Sequence, residues 1–383
     1  MNDEMSSRDR HLFGPGPKRI LSLDGGGVRG AITIAFLERI EKILSANGKI
    51  RLCDHFDLIG GTSTGAIIAT ALALGHSAAD VHDFYMRMGP RAFQHNSWRV
   101  IGLQAKFDST LLQRELDTVI GQRTLDTPDL LTGLAVVTKR MDTGSPWIIS
   151  NNPRAHYWQT PQDSSYIGNH AFKLAHLVRA STAAPHYFDP EMLMIAEGAP
   201  PGLFVDGGVS PHNNPSLQLL LMAALDGFGL RWPLGKENLS IVSVGTGSHR
   251  RRLTHAATQH LPSAALAVHA LTGLVADTET HALTLLHWLS GTHSSSPINS
   301  EIGTLANDNT PFATPLFGFQ RYDVQLEADW LKQELDIAVS DSEIAKLRLM
   351  DDPDIIPRAY EIGRLAAERL IDPADFSPNK NGG

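Results

Sequence analysis

The sequence predicts an α/β fold with a largely parallel central sheet, extended at its C-terminal end by helices. Three observations carry this. Short apolar runs alternate with segments of helical periodicity through the first two thirds of the chain. The runs are apolar throughout rather than every second residue, as expected of strands covered on both faces. Two of them end in glycine-rich turns that lead straight into a helix.

In chain order, RILSL (19–23) reads as a buried strand and DGGGVRG (24–30) as the turn after it. AITIAFLERIEKIL (31–44) then spaces Ile32, Leu37, Ile40, Ile43 and Leu44 along a helix. The pattern repeats: FDLIG (56–60) is a strand, GTSTG (61–65) a tight turn and AIIATALALG (66–75) a helix of small residues. Residues 78–93 read as helical and the stretch to Asp108 as irregular. STLLQRELDTVIG (109–121) is a helix with Ser109 or Thr110 as N-cap and Gly121 closing it. GLAVVTKR (133–140) and PWIISN (146–151) are strands, and KLAHLVRASTAAP (173–185) is a helix stopped by Pro185. GLFVDGG (202–208) is a short strand ending in a turn, 215–229 a helix and NLSIVSVGTG (238–247) a buried strand. The last third changes character: a long helical pattern over 263–291, a polar loop over 294–315, and helices over 326–337 and 356–371. The expected organisation is a flexible lead-in (1–17), an α/β domain (18–248), a helical extension packed on the same domain (249–371) and a loose tail (372–383).

Composition narrows the function classes. The chain has 383 residues, 42% hydrophobic and 19% charged, which suits a globular protein and is ample for a core. A net charge of −8 argues against a nucleic-acid polymer as partner. The single cysteine, Cys53, cannot form an internal disulfide and fits a reducing compartment. The N-terminus lacks the apolar core of a secretory signal, and runs such as AIIATALAL (66–74) are about half of a membrane span. A cytoplasmic protein is expected, peripheral at the inner membrane face if its substrate is a lipid.

Three motifs could carry chemistry. GTSTG, between a strand and a helix, can form a nucleophile elbow: Ser63 at a sharp turn, Gly61 and Gly65 clearing space, and the following helix pointing its positive end at the site. Its bland alternative is a tight turn. DGGGVRG frees backbone N–H groups for an anion. They suit an oxyanion hole better than a phosphate cradle, because the GK[ST] ending of a P-loop is absent. Arg29 could bind a phosphate head group but is read as bracing the loop, with Gly30. VDGG places Asp206 at a strand end before Gly207 and Gly208, where a carboxylate could serve as the base a serine needs. Alone, Asp-Gly-Gly is an ordinary turn.

Taken together, ILSLDGGGVRG, GTSTG and VDGG, with ASTAAPHYF (180–188) before the last, resemble the patatin-like phospholipase family from Arg19 to about Gly247. The resemblance implies a patatin-like three-layer sandwich, with 18–248 as its catalytic domain. It implies a Ser-Asp dyad in which Ser63 is the nucleophile and Asp206 takes its proton directly, with Gly25, Gly26 and Gly27 as oxyanion donors. It further implies hydrolysis of lipid acyl esters through an acyl-enzyme, without metal or other cofactor.

Rival readings are few. Of 17 histidines, His249, His255, His260, His269, His281, His287 and His293 fall late enough to complete a Ser-Asp-His triad, yet none sits in a supporting motif, and no H-E-x-x-H metal pattern occurs. HRRR (249–252) reads as a solvated loop, with anionic lipid head groups or a phosphorylated regulator as the sharper alternative. Trp98, Val100, Ile101, Leu103 and Phe107 in the irregular stretch suit a membrane-contacting lid or a buried connection equally. The 263–291 helix reads as core, with a lid or partner helix as alternatives. An acyltransferase with the same dyad, a non-catalytic scaffold and a nucleotide-activated effector are the competing functions. A homo-oligomer and a small-molecule activator are compatible with all of them.

Overall fold

The computed structural model describes residues 5–94, 105–250 and 263–376. Eight strands form one sheet: β1 (Lys18–Leu23), β2 (Leu58–Thr62), β3 (Gly133–Arg140), β4 (Ser145–Ser150), β5 (Glu191–Leu193), β6 (Gly202–Asp206), β7 (Leu239–Val244) and β8 (Gly318–Tyr322). The run β3-β2-β1-β7-β8 is parallel throughout. β4 and β6 are antiparallel to β3, and β5 is antiparallel to β6.

The register along β3 positions the site. Residues 133–137 of β3 pair with β2, and 135–140 pair with β4, so β2 and β4 take opposite edges. Residues 138–140 pair with both β4 and β6, which puts β6 on the β2 edge. β2 ends with Thr62 opposite Val137, and β6 arrives head-on with Asp206 opposite Thr138. The two strands meet tip to tip, with Ser63 one residue beyond Thr62. Sequence reasoning expected Asp206 at the edge where parallel strand ends gather. β6 runs the other way, and its tip reaches the same place from the opposite side.

The helices are α1 (Ser7–Phe13), α2 (Gly30–Leu44), α3 (Leu52–His55), α4 (Thr64–Ala73), α5 (Ala78–Ala92), α6 (Ser109–Ile120), α7 (Leu174–Ser181), α8 (Ser216–Ala224), α9 (Ser263–Ser290), α10 (Ala328–Leu335), α11 (Asp341–Leu347) and α12 (Ile356–Leu370). Successive strand side chains face opposite sides of a sheet, so β1 and β7 serve two cores. Leu21, Leu23, Val242 and Val244 pack with α2, α4–α7 and α12. Ile20, Leu239 and Ile241 pack with α1, α8 and Leu286 of α9. The result is helices on both faces of a mixed, mostly parallel sheet.

Several expectations change. The lead-in is not free: α1 is capped by Ser6, buries Leu12 in the second core, and receives the Trp232 indole N–H on the Leu12 carbonyl at 2.8 Å. The cap of α6 is Asp108, whose carboxylate accepts from Thr110 N at 2.9 Å, rather than Ser109 or Thr110. α7 ends at Ser181, four residues before Pro185. The C-terminal region holds the expected helices and also the sheet strand β8, which Gln320 and Arg321 hide from a search for apolar runs. α12 lies so close on α2 that a Cβ at Gly363 would come within 2.9 Å of Ile32 Cα. Phe107 is fully buried against Phe93 and Phe188. Trp98, Val100, Ile101 and Leu103 lie outside the described residues, as do Arg251, Arg252, His255, His260 and the tail from 377. Among the described residues no helix is long and apolar enough to cross a membrane.

Candidate active site

Ser63 stands between β2 and α4 with φ 55° and ψ −123°, a conformation that L-residues adopt only where surrounding structure enforces it. The enforcement is visible. A Cβ on Gly61 would meet Gly65 O at 2.1 Å, and one on Gly65 would meet Leu23 O at 2.3 Å, so the turn closes only with glycine at both places. The Ser63 N–H donates to Ser181 Oγ at 2.8 Å, and Ser181 in turn donates to Val137 O at 2.6 Å. The Ser63 carbonyl accepts from Ala66 N as α4 begins.

The Ser63 hydroxyl donates to Asp206 Oδ2 at 2.6 Å, the length of a bond to a charged acceptor. The other carboxylate oxygen, Oδ1, accepts from Gly208 N at 2.7 Å. Asp206 is buried, and desolvation pushes its carboxyl up to about 6 against the pull of those bonds and of the Arg179 charge. Among the described residues neither Ser63 nor Asp206 is bonded to a histidine; His255 and His260 lie outside them. Gly207 sits where a Cβ would strike Val137 O, and Gly208 where one would strike Asn213 Oδ1.

The glycine loop lies beside this pair. A Cβ on Gly25 would stand 3.3 Å from Ser63 Cβ. Gly25 spends its own N–H on Asn213 O at 3.1 Å, and its carbonyl accepts from Thr246 Oγ1 at 3.0 Å. The N–H groups of Gly26 and Gly27 make no hydrogen bond within the described residues. Of the three amides expected to face an oxyanion, these two are therefore available and that of Gly25 is not. Gly27 needs its glycine twice over: φ is +57°, and a Cβ would meet Met350 O at 2.0 Å. Gly30 lets α2 approach the elbow, since a Cβ there would meet Thr64 Cγ2 at 2.6 Å. Arg29 is buried and lines the same cavity, and its charge acts on Glu279.

Ser63, Asp206 and the loop open into a cavity of about 1020 Å³. Near the elbow its wall is apolar, with Ile67, Met88, Phe93, Leu112 and Phe188. Residues of α9 and of 294–300, where serines predominate, line the cavity as well. Sequence reasoning missed Ser181, Asn213, Thr246 and Arg321, which anchor the elbow and the loop. Ser181 falls within ASTAAPHYF, but nothing local marks it as a partner for a backbone N–H 118 residues away. Among the described residues no group of acidic, histidine or cysteine side chains could hold a metal ion.

Fold and site together define an α/β protein that holds a serine–carboxylate pair at a strand–turn–helix elbow. The family model for patatin-like phospholipases matches residues 21–220, slightly more than half of the chain, and the protein belongs to that family. It is 31% identical over 242 residues to a cGAMP-activated phospholipase of Vibrio cholerae, covering 60% of this chain and 64% of that protein. A cGAMP-activated phospholipase of Escherichia coli is 30% identical over 236 residues, 60% of this chain and 62% of its own length. Patatin-like protein 4 of Arabidopsis thaliana is 29% identical over 264 residues, 63% of this chain and 62% of its own length. The chain thus spans a little under two thirds of each of these relatives.

Proposed function

We propose that this protein is a lipid acyl hydrolase of phospholipase A type, working through Ser63 and Asp206, with residues 18–248 as its catalytic unit. The observation that carries the reading is the 2.6 Å hydrogen bond from Ser63 Oγ to a buried carboxylate at the tip of an opposing strand. A hydroxyl is a weak nucleophile and needs a base in reach. A carboxyl raised to about 6 is a stronger base than an ordinary one yet ionised at neutral pH.

Ser63 Oγ attacks the acyl carbonyl carbon as its proton passes to Asp206. The carbonyl oxygen becomes an oxyanion facing the Gly26 and Gly27 N–H groups and the positive end of α4. The bond to the leaving oxygen breaks, that oxygen takes the proton from Asp206, and the acyl group stays on Ser63. Asp206 then draws a proton from water, whose oxygen attacks the acyl carbon. The Ser63–acyl bond breaks, Ser63 regains the proton, and the fatty acid leaves. The apolar wall beside Ser63 suits an acyl chain. The site would be reached from a membrane surface, with the protein binding there peripherally. Because two of the relatives named above are called cGAMP-activated, a cyclic dinucleotide is the activator to include.

The test is intact-mass labelling with a fluorophosphonate, with and without cyclic dinucleotide, on wild type, Ser63→Ala and Asp206→Asn. One adduct on wild type and none on either variant is expected. An adduct that survives Asp206→Asn but not Ser63→Ala would assign the base elsewhere. An adduct that survives Ser63→Ala would sink the reading.

A further inference from the structure

We propose that Arg321 is a positioning residue for this reaction: through Asp24 it fixes the glycine loop so that the Gly26 and Gly27 amides face Ser63. The inference rests on the hydrolase reading above and adds a residue that lies outside the family's matched segment, 21–220.

Arg321 projects from β8 and is almost fully buried. Its Nη2 donates to Asp24 Oδ2 at 2.7 Å, Asp323 Oδ2 at 3.1 Å and Glu279 Oε1 at 3.2 Å, and its Nη1 donates to Ser243 Oγ at 2.9 Å. One guanidinium therefore gathers carboxylates from the β1 turn, the end of β8 and helix α9. There is no slack around it, since a Cβ on Gly245 would meet Asp323 Oδ1 at 2.2 Å and Arg321 Nη2 at 2.7 Å.

Such a cluster is a poor way to gain stability. Three carboxylates share one guanidinium, and burial is expensive unless every charge is matched. Asp24 Oδ1 and Arg321 Nε have no hydrogen-bond partner among the described residues. Burial pushes the Asp24 carboxyl up while the guanidinium beside it pulls the other way. What the cluster gives in return is position. Asp24 is followed by three glycines, which have no side chains to pin them and the most backbone freedom to lose. The Asp24 carboxylate is a side-chain handle at the start of this loop. Neutral groups hold the loop as well: the Asn213 carbonyl and the Thr246 hydroxyl on Gly25, the Tyr85 hydroxyl on the Gly27 carbonyl, and the Met350 carbonyl on the Val28 N–H. Glu279 extends the same guanidinium's hold to α9, a helix that also lines the cavity.

The test is steady-state hydrolysis of a p-nitrophenyl acyl ester by wild type, Arg321→Met, Arg321→Lys, Asp24→Asn and the double variant Asp24→Asn/Arg321→Met. Folding is followed by circular dichroism and Tm. A misplaced oxyanion loop should lower kcat about 100-fold in Arg321→Met while KM stays within about twofold. Arg321→Lys should recover about tenfold of that loss, since it restores the charge but not the fork. If Arg321 acts through Asp24, the double variant is no slower than Arg321→Met alone. Asp24→Asn conserves volume and carries the test if Arg321→Met does not fold. A folded Asp24→Asn or Arg321→Met enzyme with kcat within twofold of wild type overturns the proposal, as do losses that multiply in the double variant. Wild type without Ser63-dependent turnover overturns the hydrolase reading as well. A Ser63-dependent enzyme indifferent to Arg321 overturns this inference alone.

Discussion

The tripeptide Asp-Gly-Gly ends two strands of the sheet, at 24–26 after β1 and at 206–208 as β6 closes, and both aspartates line the same cavity. Both are almost completely buried, and burial raises both carboxyls, that of Asp206 to about 6. They differ in what the topology sets opposite them. Asp206 meets a serine hydroxyl and one amide, partners that leave a proton free to come and go. Asp24 meets a guanidinium shared with two other carboxylates, a partner that holds it in place. On the proposed reading, identical local sequence thus yields a base at one place on the cavity wall and an anchor at another, and the deciding residues, Ser63 and Arg321, lie far off in the chain.

The sharpest way to break this comparison is Asp206→Asn. As a base, its loss should lower turnover by about 10⁴-fold, near the cost of Ser63→Ala. The same change tests how the carboxylate is held. Asp206 is raised from 3.8 to about 6, so the folded state binds the proton more tightly than the unfolded chain does. Its favourable contribution to stability is complete below about pH 3.8 and is lost as pH rises through about 6. Above that the charged form costs about 3 kcal/mol at ~1.4 kcal/mol per pH unit. Arg179, which loses a neighbouring charge in the variant, offsets part of the gain. Asp206→Asn should therefore melt a few degrees higher than wild type at pH 8 and lose that advantage at pH 4. A lower Tm at pH 8 would make Asp206 an anchor too, and the contrast with Asp24 would collapse. Wild-type kcat/KM should fall about tenfold per pH unit below about pH 6. A profile flat to pH 5 would remove Asp206 as the group whose ionisation matters.

Gly26→Ala probes the glycine loop that Asp24 precedes. A Cβ there would meet Thr246 Oγ1 at 2.1 Å, which forces the loop to move. Displacing an oxyanion donor should cost about 10²–10³ in kcat, with KM for a short ester near that of wild type. Turnover within threefold of wild type would show that the loop amides do not face the oxyanion, and the anchor at Asp24 would lose its purpose.

The surroundings of the two aspartates were unequally legible. GTSTG, DGGG and VDGG could be read because a sharp turn beside a packed helix demands glycine at fixed, local spacings. The strands around them were legible because burial on both faces leaves continuous apolar runs. β8 was not, since Arg321 and Gln320 break the apolar run of a short strand, and Asp24, which Arg321 bonds, lies 297 residues away. The tip-to-tip meeting of β2 and β6 was equally hidden. It depends on β3 being longer than β2, which leaves edge for β6 to fill. The expected free lead-in failed on one buried residue, Leu12, which no periodicity in so short a segment could announce.

The smallest expected effect concerns the seam where those strands meet. Ser181 accepts the Ser63 N–H and donates to Val137 O, joining the elbow to the last β3 residue that β2 covers. Ser181→Ala leaves a strained residue with a buried N–H that no longer has its acceptor, at a cost of about 1–3 kcal/mol. The Ser63 to Asp206 bond is untouched, so the base is intact and only the pose of the nucleophile relaxes. A kcat loss of about tenfold is expected, with the pH midpoint unmoved. The measurement is a pH–rate profile of the variant beside its Tm. A midpoint shifted by a full pH unit would mean that Ser181 tunes Asp206 itself. Unchanged kcat with lowered Tm would mean that the elbow holds its strained conformation without the seam, by the Gly61–Gly65 contact alone.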